Sequence, residues 1–235
     1  EAFGTSDKES VLSIGLRLLA ASPKAGEGYE VGETYENYID IEHNNYRIYF
    51  FTSDNKFIAR FEPDGFVVAE GSDYRDYSML GKAPAVLADH KNFKMVVLAN
   101  WPQYGDETMK AGETLLADIC NAEWGLFDCF SPFGPGPDRL IPFYGVSEYN
   151  DIALRPGEVT LLPEPVALLR AVAKVEVVLK TDARFDLSFS EVKIRRYNRT
   201  GYCAPKDVFS REDYDHDGAW DSDYVSGLHL VEDSN

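Results

Sequence analysis

The feature that most constrains the fold of this chain is an alternation of apolar and charged residues between positions 168 and 180. Every odd position from Ala171 to Leu179 is apolar, whereas the even positions include Arg170, Lys174, Glu176 and Lys180. A period of two residues is typical of a β-strand that buries one face and exposes the other. The run is long enough to cross a whole domain, so the sequence predicts a protein organised around a long strand.

Shorter segments with strand character lie on both sides of this run. In residues 11–20 the even positions Leu12, Ile14, Leu16 and Leu18 are apolar, which predicts a strand. A short polar link predicts a hairpin between residues 46–52 and 56–61. Further strands are expected at residues 66–69, 94–101, 141–146, 159–162, 166–169 and 187–197, of which 94–101 is apolar enough to be covered on both faces.

Two other segments are expected not to be strands. Residues 70–91 show no clear period and are expected to be irregular. Residues 113–123 carry apolar side chains at helical spacing and predict one short helix. About nine or ten strands with one helix, and frequent turn signals between them, predict an all-β fold of the β-sandwich type.

Charge and composition narrow the class of protein. The chain has 235 residues and a formal net charge of −17. A surface of that sign repels phosphate, so the sequence argues against nucleic-acid binding and against direct adsorption to anionic lipid. Hydrophobic residues make up 44% of the chain, and such a share is typical of a globular protein. We therefore expect a folded, strongly acidic protein.

Motifs that would indicate catalysis are missing from the sequence. The four histidines are scattered, and neither H-E-x-x-H nor G-x-S-x-G occurs. The glycines of Gly134-Pro135-Gly136 belong to a proline-rich turn and not to a phosphate-binding loop. We therefore expect that the protein is not an enzyme.

An acidic segment near the C-terminus resembles the first nine positions of a calcium-binding loop. Aspartates stand at positions 1, 3, 5 and 9 with Gly218 at position 6, and a further aspartate follows. The candidate Ca²⁺ ligands are Asp213, Asp215, Asp217, Asp221 and Asp223. Tyr224 stands where a bidentate glutamate is expected, so a solvated acidic linker is the alternative interpretation. If the loop binds Ca²⁺, we expect the ion to stiffen a junction between domains.

Several strand segments together resemble a known family. Residues 92–101 (NFKMVVLANW), 141–145 (IPFYG) and 170–177 (RAVAKVEV) occur in this order, and 197–205 (YNRTGYCAP) ends the series. Over roughly residues 10–205 the chain resembles the amino-terminal domain of the fimbrillin family. Members of this family are subunits of the surface fimbriae of certain anaerobic Gram-negative bacteria. The resemblance implies a transthyretin-like Greek-key β-sandwich, exported as a lipoprotein and displayed at the outer membrane or in the fimbrium.

The resemblance also implies a mode of assembly. In stalk members of the family, an arginine-specific protease removes a first strand, and the groove left behind accepts a strand from the next subunit. Carried over to this chain, the assembly strand would be residues 11–20, with Val11, Leu12, Ile14, Leu16 and Leu18 as its apolar residues, and Arg17 as the processing site. Because Arg17 lies inside the expected strand, an ordinary outward-facing arginine is the alternative interpretation. The implied partners are other fimbrial subunits, with a host surface or glycan as a further target.

The resemblance divides the chain into two parts. Residues 1–205 are expected to form the fimbrillin-like domain, and residues 206–235 an acidic linker or the start of a further domain. The chain is expected to begin after a removed leader. Stalk members carry a second β-domain, so this chain is expected to be either a fragment or not a conventional stalk subunit.

A second function remains open from the sequence alone. Aromatic side chains, including Trp101, Trp124 and Trp220, could stack on sugars if they were exposed. The alternative to a fimbrial subunit is therefore a glycan-binding outer-membrane lipoprotein with the same β-sandwich fold.

Overall fold

The computed structural model describes residues 9–19, 38–70, 74–101, 108–120, 123–125, 140–171, 188, 190–193 and 200–202. These ranges contain eleven β-strands, one α-helix and one 3-10 helix. The strands are β1 Val11–Leu19, β2 Tyr46–Phe51, β3 Phe57–Phe61, β4 Gly65–Glu70, β5 Tyr74–Lys82, β6 Phe93–Ala99, β7 Glu123–Gly125, β8 Phe143–Tyr149, β9 Val159–Leu161, β10 Val166–Arg170 and β11 Thr200–Tyr202. The helix α1 spans Leu116–Cys120 and the 3-10 helix spans Ala85–Asp89. The expected all-β fold class with one short helix is confirmed.

Nine of the strands form one sheet that curls over itself. Its order is β3-β2-β6-β8-β10-β1-β5-β4, with β9 pairing with β1 beside this path, while β7 and β11 form a separate two-stranded sheet. Buried side chains from β1 and β5 belong to the same core cluster as buried side chains from β2, β3, β6 and β8. The two halves of the sheet therefore face each other across one core, as in a sandwich.

Aromatic residues fill much of this main core. Phe50 is fully buried, and the centroid of its ring lies 5.2 Å from that of Phe93 and 6.2 Å from that of Phe61, both in edge-to-face geometry. Such ring pairs stabilise beyond the burial of their surface. The structure thus confirms the predicted hairpin of β2 and β3, whose aromatic side chains contribute to the main core although β3 lies at one end of the sheet order.

A smaller core lies on the outer face of β2, β6 and β8. The buried side chains of α1, Leu116, Ile119 and Cys120, pack there against residues that include Tyr49 and Val96. Because β6 is covered on both faces, its residues are almost all buried, as the apolar run at 94–101 predicts.

Expectations for three individual segments differ from the structure. Residues 70–91 are not irregular, since they contain the nine-residue strand β5 and the 3-10 helix. The helix expected over 113–123 is shorter, because the backbone of Thr114 accepts a hydrogen bond from Phe57 at the edge of β3, and Glu123 already belongs to β7. Of the strand expected at 187–197, residues 188 and 190–193 are exposed and form no strand, and the other positions lie outside the described residues.

The other strand predictions within the described ranges are confirmed, with ends that differ by no more than about three residues. The long strand predicted at 168–180 is described only through Ala171, and its remaining part lies outside the described residues. Neither helix in the described ranges has the length and hydropathy of a membrane-spanning helix.

Candidate functional site

The strand β1 lies inside the sheet, with neighbours on both sides. It runs antiparallel to β5 along its whole length, from Val11 opposite Lys82 to Leu19 opposite Tyr74. On its other side it runs parallel to β9 near its start and to β10 near its end. We call the space that β1 occupies between these neighbours the β1 slot.

The inward side of β1 completes the main core. Leu12, Ile14, Leu16 and Leu18 are each no more than 1% exposed, whereas Val11 is only partly buried. Burying an aliphatic side chain of this size stabilises the folded state by about 1.5–3 kcal/mol, so the four contribute roughly 6–12 kcal/mol as an upper estimate. A typical domain is stable by only about 5–15 kcal/mol. The core therefore depends on an aliphatic strand in the β1 slot.

The outward side of β1 carries a paired arginine. Arg17 lies opposite Asp76 of β5, and its Nε and Nη2 atoms donate to the two carboxylate oxygens at 2.8 and 2.7 Å. The Arg17 side chain is 40% exposed and that of Asp76 is 24% exposed, so solvent weakens this ion pair. The two-pronged geometry nevertheless fixes which residue of β1 faces Asp76.

The middle of β1 approaches the segment before β10 very closely. A Cβ atom placed on Gly15 would lie 3.1 Å from Cβ of Pro165 and 3.4 Å from its Cα. Pro165 immediately precedes β10, whose first residue, Val166, lies opposite Leu16. The slot is therefore narrow at Gly15.

A polar cluster supports the β5 wall of the slot. Tyr77, which lies opposite Leu16, accepts a hydrogen bond from the backbone N–H of Ile39 at 2.9 Å. The next residue, Asp40, donates its backbone N–H to Oδ1 of Asn100, which follows β6. The Asn100 amide group in turn donates to the carbonyl oxygens of Tyr38 and Ile141 at 2.6 and 2.8 Å. These bonds tie the wall of the slot to the opposite half of the sheet.

The same cluster contains a histidine with a shifted pKa. Nδ1 of His43 lies 2.9 Å from Oδ1 of the buried Asp40. The hydrogen bond to this carboxylate, and its charge, raise the pKa of His43 above its usual value. The His43 side chain is 68% exposed, and its carboxylate partner also accepts the backbone N–H of His43 at 3.2 Å. The pair therefore joins the two ends of one turn.

The remaining predicted site residues lie elsewhere. The candidate Ca²⁺ ligands Asp213, Asp215, Asp217, Asp221 and Asp223 are outside the described residues, so this site stays a prediction. Within the described ranges, no three His, Cys, Asp or Glu side chains are placed to hold a metal ion. The processing hypothesis for Arg17 is likewise untested, and the structure places this residue inside the hydrogen-bonded ladder of β1.

Sequence reasoning missed the residues that surround β1. Asp76 and Tyr77 fall in the segment expected to be irregular, and Pro165 lies between two short strands. The alternation of Asp76, Tyr77, Ser78 and Met79 was a usable strand signal, since only Tyr77 and Met79 are buried. No signal in the sequence indicated that Pro165 would lie against Gly15.

Comparisons with known proteins find structural similarity but no family. No family model and no curated protein matches the chain. Among solved structures, the chain is similar to the tip fimbrial protein Mfa3 from Porphyromonas gingivalis with C-terminal truncation, at 11% sequence identity and a TM-score of 0.36. The match covers 69% of this chain and 48% of that protein, so it spans about half of the neighbour's length. At this level the similarity does not assign the chain to a family.

Proposed function

We propose that this chain is a non-enzymatic structural or adhesive subunit of surface fimbriae, which assembles by β-strand complementation at the outer membrane. In this assembly, an extended strand of another subunit occupies the β1 slot of the chain. Backbone hydrogen bonds to β5, β9 and β10 would give affinity, and aliphatic side chains at alternate positions would complete the core.

The observation that supports this proposal most is that, in the described part of the chain, β1 pairs with strands that are distant from it in sequence. Arg17 and its partner Asp76 are 59 residues apart in sequence, and β9 and β10 lie still further along the chain. None of these described partners is the strand that follows β1 in the chain order, so none is joined to β1 as a hairpin. A strand with such distant partners can be replaced by an equivalent strand from another molecule without changing the rest of the sheet.

The fimbrial setting rests on the sequence resemblance over residues 10–205. Export as a lipoprotein, display at the outer membrane and partnership with related subunits are parts of the same proposal. The chain's net charge of −17 suits a surface protein that stays apart from its copies until a specific strand contact forms.

The described residues give little support to glycan binding through exposed aromatics. Trp101 is 4% exposed, and its indole N–H donates to the carbonyl oxygen of Phe143 at 2.8 Å. The exposed large apolar side chains in these ranges are all valine or leucine. These aliphatic side chains offer no ring on which a sugar could stack.

Immunogold electron microscopy of producing cells tests the fimbrial part of the proposal. Antibody against this chain is expected to label thin filaments, and the position of the gold along them would give the role of the subunit. Cells that lack the chain serve as the control. Gold scattered over the membrane without filaments would contradict the proposal and favour a surface lipoprotein of another kind.

Strand exchange in the purified chain tests the mode of assembly. We would insert a site for a sequence-specific protease within residues 24–30, let the full chain fold, and then cut it, so that β1 stays bound without a covalent link. The cut chain is expected to take up a fluorescent peptide of residues 9–19, because the peptide restores the same four buried side chains.

Two controls accompany this exchange. The uncut chain should take up little peptide, because its own strand is tethered to the slot at high effective concentration. A peptide with serine at positions 12, 14, 16 and 18 should not bind. If the cut chain takes up no wild-type peptide, even at the highest denaturant concentration at which it stays folded, strand complementation is wrong.

A further inference from the structure

We propose that Pro165 and Asp76 select the strand that enters the β1 slot. The incoming strand would need a small residue at the position of Gly15 and a basic residue at the position of Arg17. This inference rests on the proposed function and specifies the chemistry of the partner strand.

The Pro165 side of the slot excludes larger residues. The Cβ of Pro165 lies 3.1 Å from the place of a Cβ on Gly15, which is closer than ordinary van der Waals contact. The proline ring is rigid, and its Cα, 3.4 Å away, belongs to the backbone that leads directly into β10. The wall therefore cannot give way to a branched side chain without moving β10, which overpacking makes costly.

The Asp76 side of the slot attracts a cation. Asp76 and Arg17 are directly opposite each other, and both carboxylate oxygens accept from the guanidinium group. Arg17 lies two residues beyond Gly15, so the two positions point to the same outward face of the strand. An acidic or apolar residue at this position would leave the Asp76 carboxylate without its bidentate partner.

The positions of Gly15 and Arg17 determine the register and direction of the incoming strand, which the aliphatic repeat alone does not fix. A shift of the incoming strand by two residues would still place aliphatic side chains inward. It would, however, bring either Ser13 or Arg17 against Pro165, and either Gly15 or Leu19 opposite Asp76. A strand in the reverse direction would exchange the order of the small and the basic residue. The pair therefore fixes both the register and the direction of the strand.

Variant peptides in the exchange assay test this selection. Replacement Gly15→Val in the 9–19 peptide is expected to weaken binding to the cut chain at least about tenfold, because the added methyl groups meet Pro165. Replacement Ser13→Val is the matched control, since Ser13 is on the same face but lies between the exposed Leu80 and Leu161. It is expected to bind within about threefold of the wild-type peptide.

A charge exchange tests the Asp76 side. The Arg17→Glu peptide is expected to bind about three- to tenfold more weakly to the cut chain, since the partly exposed pair becomes repulsive. A cut chain with Asp76→Arg should restore binding of this peptide and weaken binding of the wild-type peptide. A uniform effect on both peptides would overturn the role of Asp76.

The outcomes distinguish a failure of strand selection by Pro165 and Asp76 from a failure of strand complementation itself. If the wild-type peptide exchanges and the Gly15→Val peptide binds equally well, the proposed selection is wrong, whereas strand complementation is still supported. Absence of wild-type exchange overturns both. A second measurement does not depend on exchange at all: in the intact chain, Gly15→Val should lower the midpoint of thermal unfolding clearly more than Ser13→Val does, and equal midpoints would overturn the role of Pro165.

Discussion

Replacing Gly145 by alanine is expected to lower the free energy of unfolding by about 3 kcal/mol, near the upper end of the usual range for overpacking. Gly145 lies in β8, and a Cβ there would meet the carbonyl oxygen of Ala167 at 2.6 Å and Cδ2 of Leu168 at the same distance. Cγ1 of Val166 would lie at 2.8 Å. Because one of these atoms belongs to the backbone of β10, a change of side-chain rotamer cannot relieve the clash. Since β10 joins the two halves of the sheet, its displacement would disturb the main core.

Urea unfolding followed by tryptophan fluorescence and circular dichroism measures this effect. Gly65→Ala is the matched control, since a Cβ at Gly65 of β4 would have no heavy atom within 4 Å. That control is expected to raise the free energy of unfolding by no more than about 1 kcal/mol, because alanine lowers the conformational entropy of the unfolded chain. Equal destabilisation by both substitutions would show that the close approach of β8 and β10 does not limit the size of residue 145.

The sequence predicted the strands in which the pattern of apolar residues matches the pattern of burial. Alternation identified β1 and its inward side, and a continuous apolar run identified β6 as a strand covered on both faces. Alternation assigns side chains to a face but says nothing about which strand lies alongside. The position of β1 between β5 and β10 arises from contacts between residues far apart in sequence, and no local pattern encodes such pairings.

The strand β5 shows where the local pattern fails. Leu80 is 45% exposed although it is apolar, and Gly81 is buried although it has no side chain. Gly81 fits because a Cβ there would lie 2.8 Å from Cα of Pro63 and 2.9 Å from the carbonyl oxygen of Glu62. Burial still alternates along β5, but at these two positions the apolar residue is on the exposed face and the residue without a side chain is on the buried face, for reasons of tertiary packing.

The candidate site was predicted only in part for the same reason. The aliphatic residues of β1 belong to one segment, so their shared face could be read directly. Asp76 and Pro165 become part of the site only when β5 and β10 come to lie on either side of β1. The predicted domain boundary at 205 and the candidate Ca²⁺ loop lie outside the described residues, and both stay predictions.

Truncation of Leu16 to alanine should reveal how strongly the core depends on β1. Leu16 is fully buried between Tyr77 of β5 and Val166 of β10, which are themselves no more than 1% exposed. Removing a buried leucine side chain costs about 2–5 kcal/mol through lost burial and the cavity left behind. The free energy of unfolding of the intact chain should fall by this amount, whereas Ser13→Ala, on the outward side of the same strand, should change it by about 0.5 kcal/mol or less.

Amide hydrogen exchange of the Leu16→Ala chain tests whether β1 can leave its slot, as the proposed assembly requires. If β1 can leave its slot while the opposite half of the sheet stays folded, the amides of β1 should exchange faster than those of β2 and β6. Leu16→Ala should widen this difference, because the truncated side chain belongs to β1 itself, whereas β2 keeps its pairing with β3 and β6. Uniform acceleration across all strands would instead mean that β1 opens only when the whole domain unfolds. An incoming strand would then have no folded slot to enter, and assembly would have to occur before the subunit completes its own fold.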